Sequence, residues 1–242
     1  MSETERNPAD ILVLEGGLSV AEAARRTGVS YSTMYRWYRL AKSGKTAVRR
    51  GSHRADTAES TDPTEKRVLR RRVCFDTETT GLSWRMGDRV VEVGAVELDE
   101  ELKPVRRFQA YLNPERSVPW SAYRVHGLST EFLSDKPLFS DVADDFLAFV
   151  SGAELIAHNA AFDHGFLNME LSRAGRPTLD DAGCTVTCTL RMARRLFPKR
   201  PNSLDALCRR LGVSAAGREV HGALRDSEIL CDVYRSLMHL DV

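Results

Sequence analysis

The chain has 242 residues, enough for one domain of ordinary size and a small module. Hydrophobic content of 42% with 29% charge is that of a globular protein and excludes a fibrous or disordered polymer. No apolar run reaches the roughly 20 residues that span a bilayer, and the polar start Met1–Arg6 is no secretory signal, so the sequence predicts a cytoplasmic protein without a membrane partner. The net charge of +1 is unevenly spread: residues 1–72 hold 15 Lys/Arg against 9 Asp/Glu, and residues 73–242 hold 20 against 25. A basic front attracts polyanions; an acidic body needs cations to approach one. The five cysteines are scattered and odd in number, which predicts reduced thiols. Cys184 and Cys188 have the spacing of a helical turn and could hold a metal, but no second Cys or His pair stands at zinc-site distance.

Residues 1–45 form the first segment. Asn7-Pro8 opens a helix that stops at Gly16-Gly17, Ser19 caps a second helix to Thr27, and Ser30 caps a third from Tyr31 to about Ala41. Ala24, Gly28 and Met34 stand where a helix-turn-helix needs a small residue, a turn glycine and a core residue. The segment resembles the helix-turn-helix of transposases and resolvases. That resemblance implies duplex DNA as a partner, with Tyr31, Ser32, Tyr35 and Arg36 at the major groove and Arg39 on the backbone. A small bundle that packs on a protein is the alternative. Residues 46–70 are rich in Gly, Ser, Thr and charge, too poor in apolar groups to fold alone, and read as a flexible linker.

Residues 71–242 alternate strands and helices. Val73–Asp76, Val90–Leu98 and Val105–Leu112 are predicted strands; Val142–Val150 is a helix, Leu155–Ala157 a short buried strand and Phe162–Ala174 a helix. Leu204–Leu211 and Ala223–Met238 are further helices. This order predicts an α/β domain with a mixed sheet.

Asp76-Thr77-Glu78-Thr79-Thr80-Gly81 follows the apolar run Val73–Phe75. Alternation along a strand puts Asp76 and Glu78 on one face, where two like charges repel unless a cation lies between them. Asp163 follows His158-Asn159-Ala160-Ala161-Phe162 at a helix start, and His221 precedes Asp226 by five residues across another. Taken singly, each of these has a bland reading as a helix-end charge.

In order, Asp76-x-Glu78, Asn159-x-x-Phe162-Asp163 and His221-x-Ala223-x-x-Asp226 resemble the DEDD exonucleases of the histidine subclass, among them the epsilon proofreading subunits of bacterial DNA polymerase III. The likeness runs from about Arg71 to Met238 and includes Val91–Val96, Val125–Leu128, Gly152–Leu155 and Asn202–Cys208. It implies a ribonuclease-H-like domain of mixed sheet flanked by helices. It further implies two divalent ions, Mg²⁺ or Mn²⁺, with Asp76 bridging them, Glu78 and Asp226 on the nucleophile side and Asp163 on the second. Such hard cations take oxygen ligands. His221 is implied as general base, a role suited to a group that titrates near neutral pH.

By the same resemblance Thr79, Gly81 and Leu82 meet the 3′-terminal nucleotide, His126 and Asn159 approach the substrate, and Phe162 packs near the terminal sugar. For His126 and His158 a purely structural role is the alternative. The implied activity is 3′→5′ hydrolysis of DNA from single-stranded ends, releasing nucleoside 5′-monophosphates in proofreading or repair, with a polymerase subunit as a partner. Two readings compete: an RNA exonuclease, and a sequence-specific DNA-binding protein with accessory nuclease activity. The chain departs from close relatives at Ser121, where an acidic residue is common. It is also expected to lack their polymerase-binding tail and clamp-binding segment.

Overall fold

A computed structural model describes residues 71–216 and 220–240, together with Ala23, Arg26, Thr27, Val29, Thr33, Met34, Trp37 and Tyr38. The chain divides into two units, Met1–Leu69 and Arg70–Val242. In the first unit Ala23, Arg26 and Thr27 are helical, as are Thr33, Met34, Trp37 and Tyr38, and Ala23 and Met34 are fully buried. The predicted groove-facing residues Tyr31, Ser32, Tyr35, Arg36 and Arg39, and the predicted linker, lie outside the described residues.

The second unit is built on a five-stranded sheet of order β3-β2-β1-β4-β5. Its strands are β1 (Arg72–Thr79), β2 (Val90–Leu98), β3 (Pro104–Tyr111), β4 (Glu154–Ala157) and β5 (Thr185–Cys188). β1 runs antiparallel to β2 and parallel to β4; β2 and β3 are antiparallel, β4 and β5 parallel, so the sheet is mixed as predicted. The strand that carries Asp76 and Glu78 is therefore central. It extends three residues beyond its predicted end, because pairing with β2 continues through a bulge between Glu78 and Thr79.

The helices are α1 (Trp120–His126), α2 (Thr130–Leu133), α3 (Phe139–Val150), α4 (Ala161–Arg173), α5 (Thr189–Leu196), α6 (Leu204–Leu211) and α7 (Ala223–Leu240). α3, α4, α6 and α7 stand where the periodicity put them, within a few residues at each end. α1, α2, β5 and α5 were not predicted. Each is four to eight residues long, too short for two turns of apolar repeat to declare itself, and β5 passes directly into α5.

The core beneath the sheet joins Cys74, Val96 and Ile156 to Ile229, Val233 and Tyr234 of α7. On the opposite side Phe108 meets Phe146 of α3 at 5.6 Å between ring centres. All five cysteines are free thiols. Cys184 lies before β5 and Cys188 ends it, so their spacing is that of a strand and not of a helical turn. Among the described residues no helix is long and apolar enough to cross a membrane.

Candidate active site

The floor of the site is the end of β1. Beyond it the Thr80 amide donates to the Arg89 carbonyl (2.8 Å), and the Asp88 carboxylate accepts from Ser83 N (3.1 Å) and Thr80 Oγ1 (3.3 Å). Asp88 occupies the space that a side chain at position 81 would need: a Cβ there would lie 2.3 Å from Asp88 Oδ2 and would push that carboxylate off its bonds to Ser83 and Thr80. Trp84 pins the same loop to α4, where a Cβ on Gly165 would lie 2.4 Å from its Nε1. Held at both ends, the loop presents Leu82 with 87% of its surface exposed.

α4 brings in the third carboxylate. Asp163 is buried in the first turn, and its Oδ1 accepts from Thr77 N (3.0 Å) and Thr77 Oγ1 (2.8 Å). Burial pushes its pKa up to about 7, against the pull of those two donors. The preceding turn is tight: Asn159 has φ 71°, and its carbonyl accepts from Phe162 N at 2.9 Å.

α7 closes the site by packing across β1 and β2. Gly94 lets it approach, since a Cβ there would lie 2.2 Å from Leu224 N. Ser227 Oγ donates to the Gly94 carbonyl (3.0 Å), and Glu92 Oε2 accepts the Ala223 amide at the start of α7 (3.0 Å). An acidic side chain is well placed at a helix N-terminus. Fixed in this way, α7 sets Asp226 in its first turn, buried, with Oδ2 at 3.1 Å from His221 Nδ1. The His221 amide donates to Val125 O of α1 (3.1 Å).

Glu78, His221 and Asp226 each offer a ligand atom within 4.8 Å of the others. Asp76 is half-buried on the same face of β1 as Glu78, about 6–7 Å along the strand. Beside this group lies a cavity of about 370 Å³. β1 contributes Thr77, Glu78 and Thr79 to its wall, the loop adds Gly81 and Leu82, α4 adds Phe162, and α1 adds Ser121, Ala122, Val125 and His126. His126 is buried and its Nδ1 accepts the Leu128 amide (3.0 Å), which places the proton of the neutral ring on Nε2. Burial draws its pKa down; the Thr79 backbone opposes this, yet Nε2 has no partner in hydrogen-bond geometry. His126 is thus a neutral donor in the cavity wall.

The structure gathers Glu78, Thr79, Gly81, Leu82, His126 and Phe162 around one cavity, with His221 and Asp226 clustered on Glu78. Asn159 is not among them; it lines a neighbouring cavity with His158. His158 turns Nδ1 to Thr189 Oγ1 (3.0 Å), in line with its structural reading. Of the wall made by α1, sequence reasoning placed only His126 near the substrate and noted Ser121 as a departure; it missed Ala122 and Val125 and the supporting roles of Glu92, Gly94 and Ser227. Glu92 and Gly94 stood inside the stretch Val91–Val96, but a contact 131 residues away leaves no local signal.

Oxygen donors dominate this set, and their crowding calls for a cation. Glu78 and Asp226 are buried within reach of one another, and burial already resists the charge on Asp163. The residues fit a hard divalent metal.

A model of the exonuclease family matches residues 73–234. The chain belongs to the exonuclease family. DNA polymerase III subunit epsilon of Rickettsia conorii is 51% identical over 169 residues, covering 69% of this chain and 74% of that protein. The subunit of the same name from Escherichia coli K12 is 43% identical over 175 residues, covering 70% and 72%. Among solved structures, Exonuclease X in complex with 5′ overhanging duplex DNA aligns with a TM-score of 0.55 at 26% identity, over 69% of this chain and 91% of that one. Exonuclease I from Methylocaldum szegediense has a TM-score of 0.61 at 19% identity, over 70% and 40%, and speaks for the fold alone. Residues 2–70 match a family described as a transposase, of helix-turn-helix type. This exonuclease is a 3′→5′ enzyme and, like its family, metal-dependent.

Proposed function

We propose that this exonuclease shortens DNA strands from the 3′ end and releases nucleoside 5′-monophosphates in proofreading or repair in the cytoplasm. The observation that carries this reading is the cluster of Glu78, His221 and Asp226, within 4.8 Å of one another beside a cavity of about 370 Å³. Asp76, Glu78, Asp163 and Asp226 hold two divalent ions, Mg²⁺ or Mn²⁺. When bound, these ions supply Lewis-acid stabilisation of the charge that develops on the attacking and leaving oxygens.

The chain's own groups do the rest. Leu82 and Phe162 bracket the terminal nucleoside, and Thr79 and the Gly81 backbone meet its sugar. His126, neutral and buried in the cavity wall beside the Thr79 backbone, approaches the substrate. Asp226 orients the His221 ring through Nδ1, and His221 takes the proton from the attacking water. The names of the relatives support a polymerase partner, and the transposase-type segment supports duplex DNA as a second contact, made by Tyr31, Ser32, Tyr35, Arg36 and Arg39.

The test is digestion of 3′-labelled and 5′-labelled single-stranded DNA, with a matched RNA in parallel, in Mg²⁺ or Mn²⁺. Stepwise loss from the 3′ end, faster on DNA and abolished by EDTA, is expected. Preference for the RNA would overturn the substrate assignment, and full turnover by His221→Ala would overturn the role of the base.

A further inference from the structure

A second cavity, of about 720 Å³, opens on the other face of the turn that joins β4 to α4. It takes its cations from Arg194 of α5 and from Lys199 and Arg200 in the connection to α6; no Asp or Glu lines it. None of these three cations makes an ion pair among the described residues. Residues 73–242 carry 20 Lys/Arg against 25 Asp/Glu, so an acid-free concentration of three cations is not what an average patch of this surface would show.

The connection that holds them is braced. Asn202 is buried; its Nδ2 donates to the Phe197 carbonyl (3.1 Å) and its Oδ1 accepts from Arg210 (3.0 Å). Ser203 then caps α6 by accepting the Ala206 amide (3.3 Å). Lys199 sits at φ 61°, a backbone conformation that a side-chain-bearing residue adopts only where its surroundings impose it. The cations therefore project from a defined frame.

Location gives the cavity its meaning. Asn159 lines it, Phe162 lines the catalytic cavity, and the two residues are the ends of one hydrogen-bonded turn. The ends of such a turn stand less than about 7 Å apart. The catalytic side of that turn is crowded with carboxylates and repels a polyanion; the second side attracts one.

We propose that this basic cavity binds the phosphodiester backbone of the substrate strand upstream of the nucleotide being removed. The inference rests on the exonuclease reading above and adds a site to it. Arg194, Lys199 and Arg200 neutralise backbone phosphates without reading bases, so the site holds any sequence and draws the 3′ end toward the metal ligands.

The test compares the wild type with Arg194→Gln/Lys199→Gln/Arg200→Gln on two substrates: a single-nucleotide 5′-phosphodiester with a chromogenic leaving group, and a 12-nucleotide single strand. The small ester fits the catalytic cavity and reports on it alone. The triple variant is expected to turn over the small ester within twofold of wild type, while KM for the 12-mer rises about tenfold or more. Its dependence of log kcat/KM on log salt should be shallower by about 2, given a slope of about 0.7 per phosphate on a single strand. Arg194→Lys/Arg200→Lys, which keeps the charge, should restore most of the affinity. Equal KM and equal salt slope for wild type and triple variant on the 12-mer would overturn the inference. Loss of the small-ester activity together with the 12-mer activity would overturn it as well, by showing a role in the catalytic cavity itself. A wild type inert on both substrates would instead count against the exonuclease reading.

Discussion

His221 Nδ1 lies 3.1 Å from Asp226 Oδ2, although the two residues flank the start of α7 and only one of them belongs to the helix. The turn between them is held from both sides: the His221 amide donates to Val125 of α1, and the Ala223 amide to Glu92 of β2. The pair is an oriented imidazole on a buried carboxylate, an arrangement that suits the general base proposed above.

Replacing His221 by Ala should lower kcat about 10²- to 10⁴-fold, the range for removal of a positioned acid–base group. Metal affinity measured by calorimetry should change far less than for Asp226→Ala. Equal losses of metal affinity in both variants would assign His221 to the metal rather than to the proton.

Asp163 leads to a prediction with a definite sign. Its pKa is raised from 3.8 to about 7, so between those values the folded state binds more protons than the unfolded one. Its contribution to stability is fully present below about pH 4 and is lost as pH rises through 7. In EDTA the wild type should therefore melt lower at pH 8 than at pH 5. Asp163→Asn keeps the Oδ1 acceptor used by Thr77 and removes the charge. Relative to wild type it should gain stability at pH 8, on the order of 4 kcal/mol for a shift of this size, and little at pH 4. Its activity should nevertheless fall by orders of magnitude. Melting curves in EDTA across pH 4–8 decide the matter; parallel curves for the two proteins would refute it.

Gly94→Ala should detach α7 from the sheet. The new methyl would lie 2.2 Å from Leu224 N, a contact with backbone that cannot rotate away. A cost of about 3 kcal/mol or more is expected, at the upper end for overpacking, with a matching loss of metal binding because Asp226 moves with the helix. Chemical denaturation and a Mn²⁺ titration on the same preparation would test both.

The buried pair Arg89–Glu170 offers a contrast. Two parallel bonds join them, Nε–Oε1 at 2.7 Å and Nη2–Oε2 at 3.0 Å, and Oε1 also accepts the Val90 amide (3.2 Å). Glu170→Ala should cost about 3–5 kcal/mol, because the buried guanidinium loses its two-bond partner and keeps only Pro114 O (3.2 Å) and the exposed Glu115 carboxylate (3.3 Å) at Nη1. Arg89→Met combined with Glu170→Leu should cost less, about 1–3 kcal/mol, chiefly from the orphaned Val90 amide. Denaturant midpoints of the single and double variants give the comparison.

What could be read from the sequence was local or spaced by a fixed rule. β1 opens on the apolar run Val73–Phe75 and β2 is mostly apolar because both lie inside the sheet, and Asp76 and Glu78 share a face because a strand alternates. Asp163, His221 and Asp226 were identifiable from motif order. Apart from His126, the wall formed by α1 was not legible: this seven-residue helix buries only that residue, so it shows no apolar stripe. Nor was the separation of Asn159 from the catalytic cavity. That depends on which way Asn159 at φ 71° turns the chain; an asparagine permits this left-handed conformation but does not say which cavity it will face.

β1 emerges early in synthesis and α7 late, yet the cluster of Glu78, His221 and Asp226 needs both. A chain made only through α6 contains all five strands but not His221 or Asp226. The docking of α7 on Gly94 thus sets an order of assembly: the cluster cannot form before α7 has been made and has packed on the sheet, however early β1 is in place.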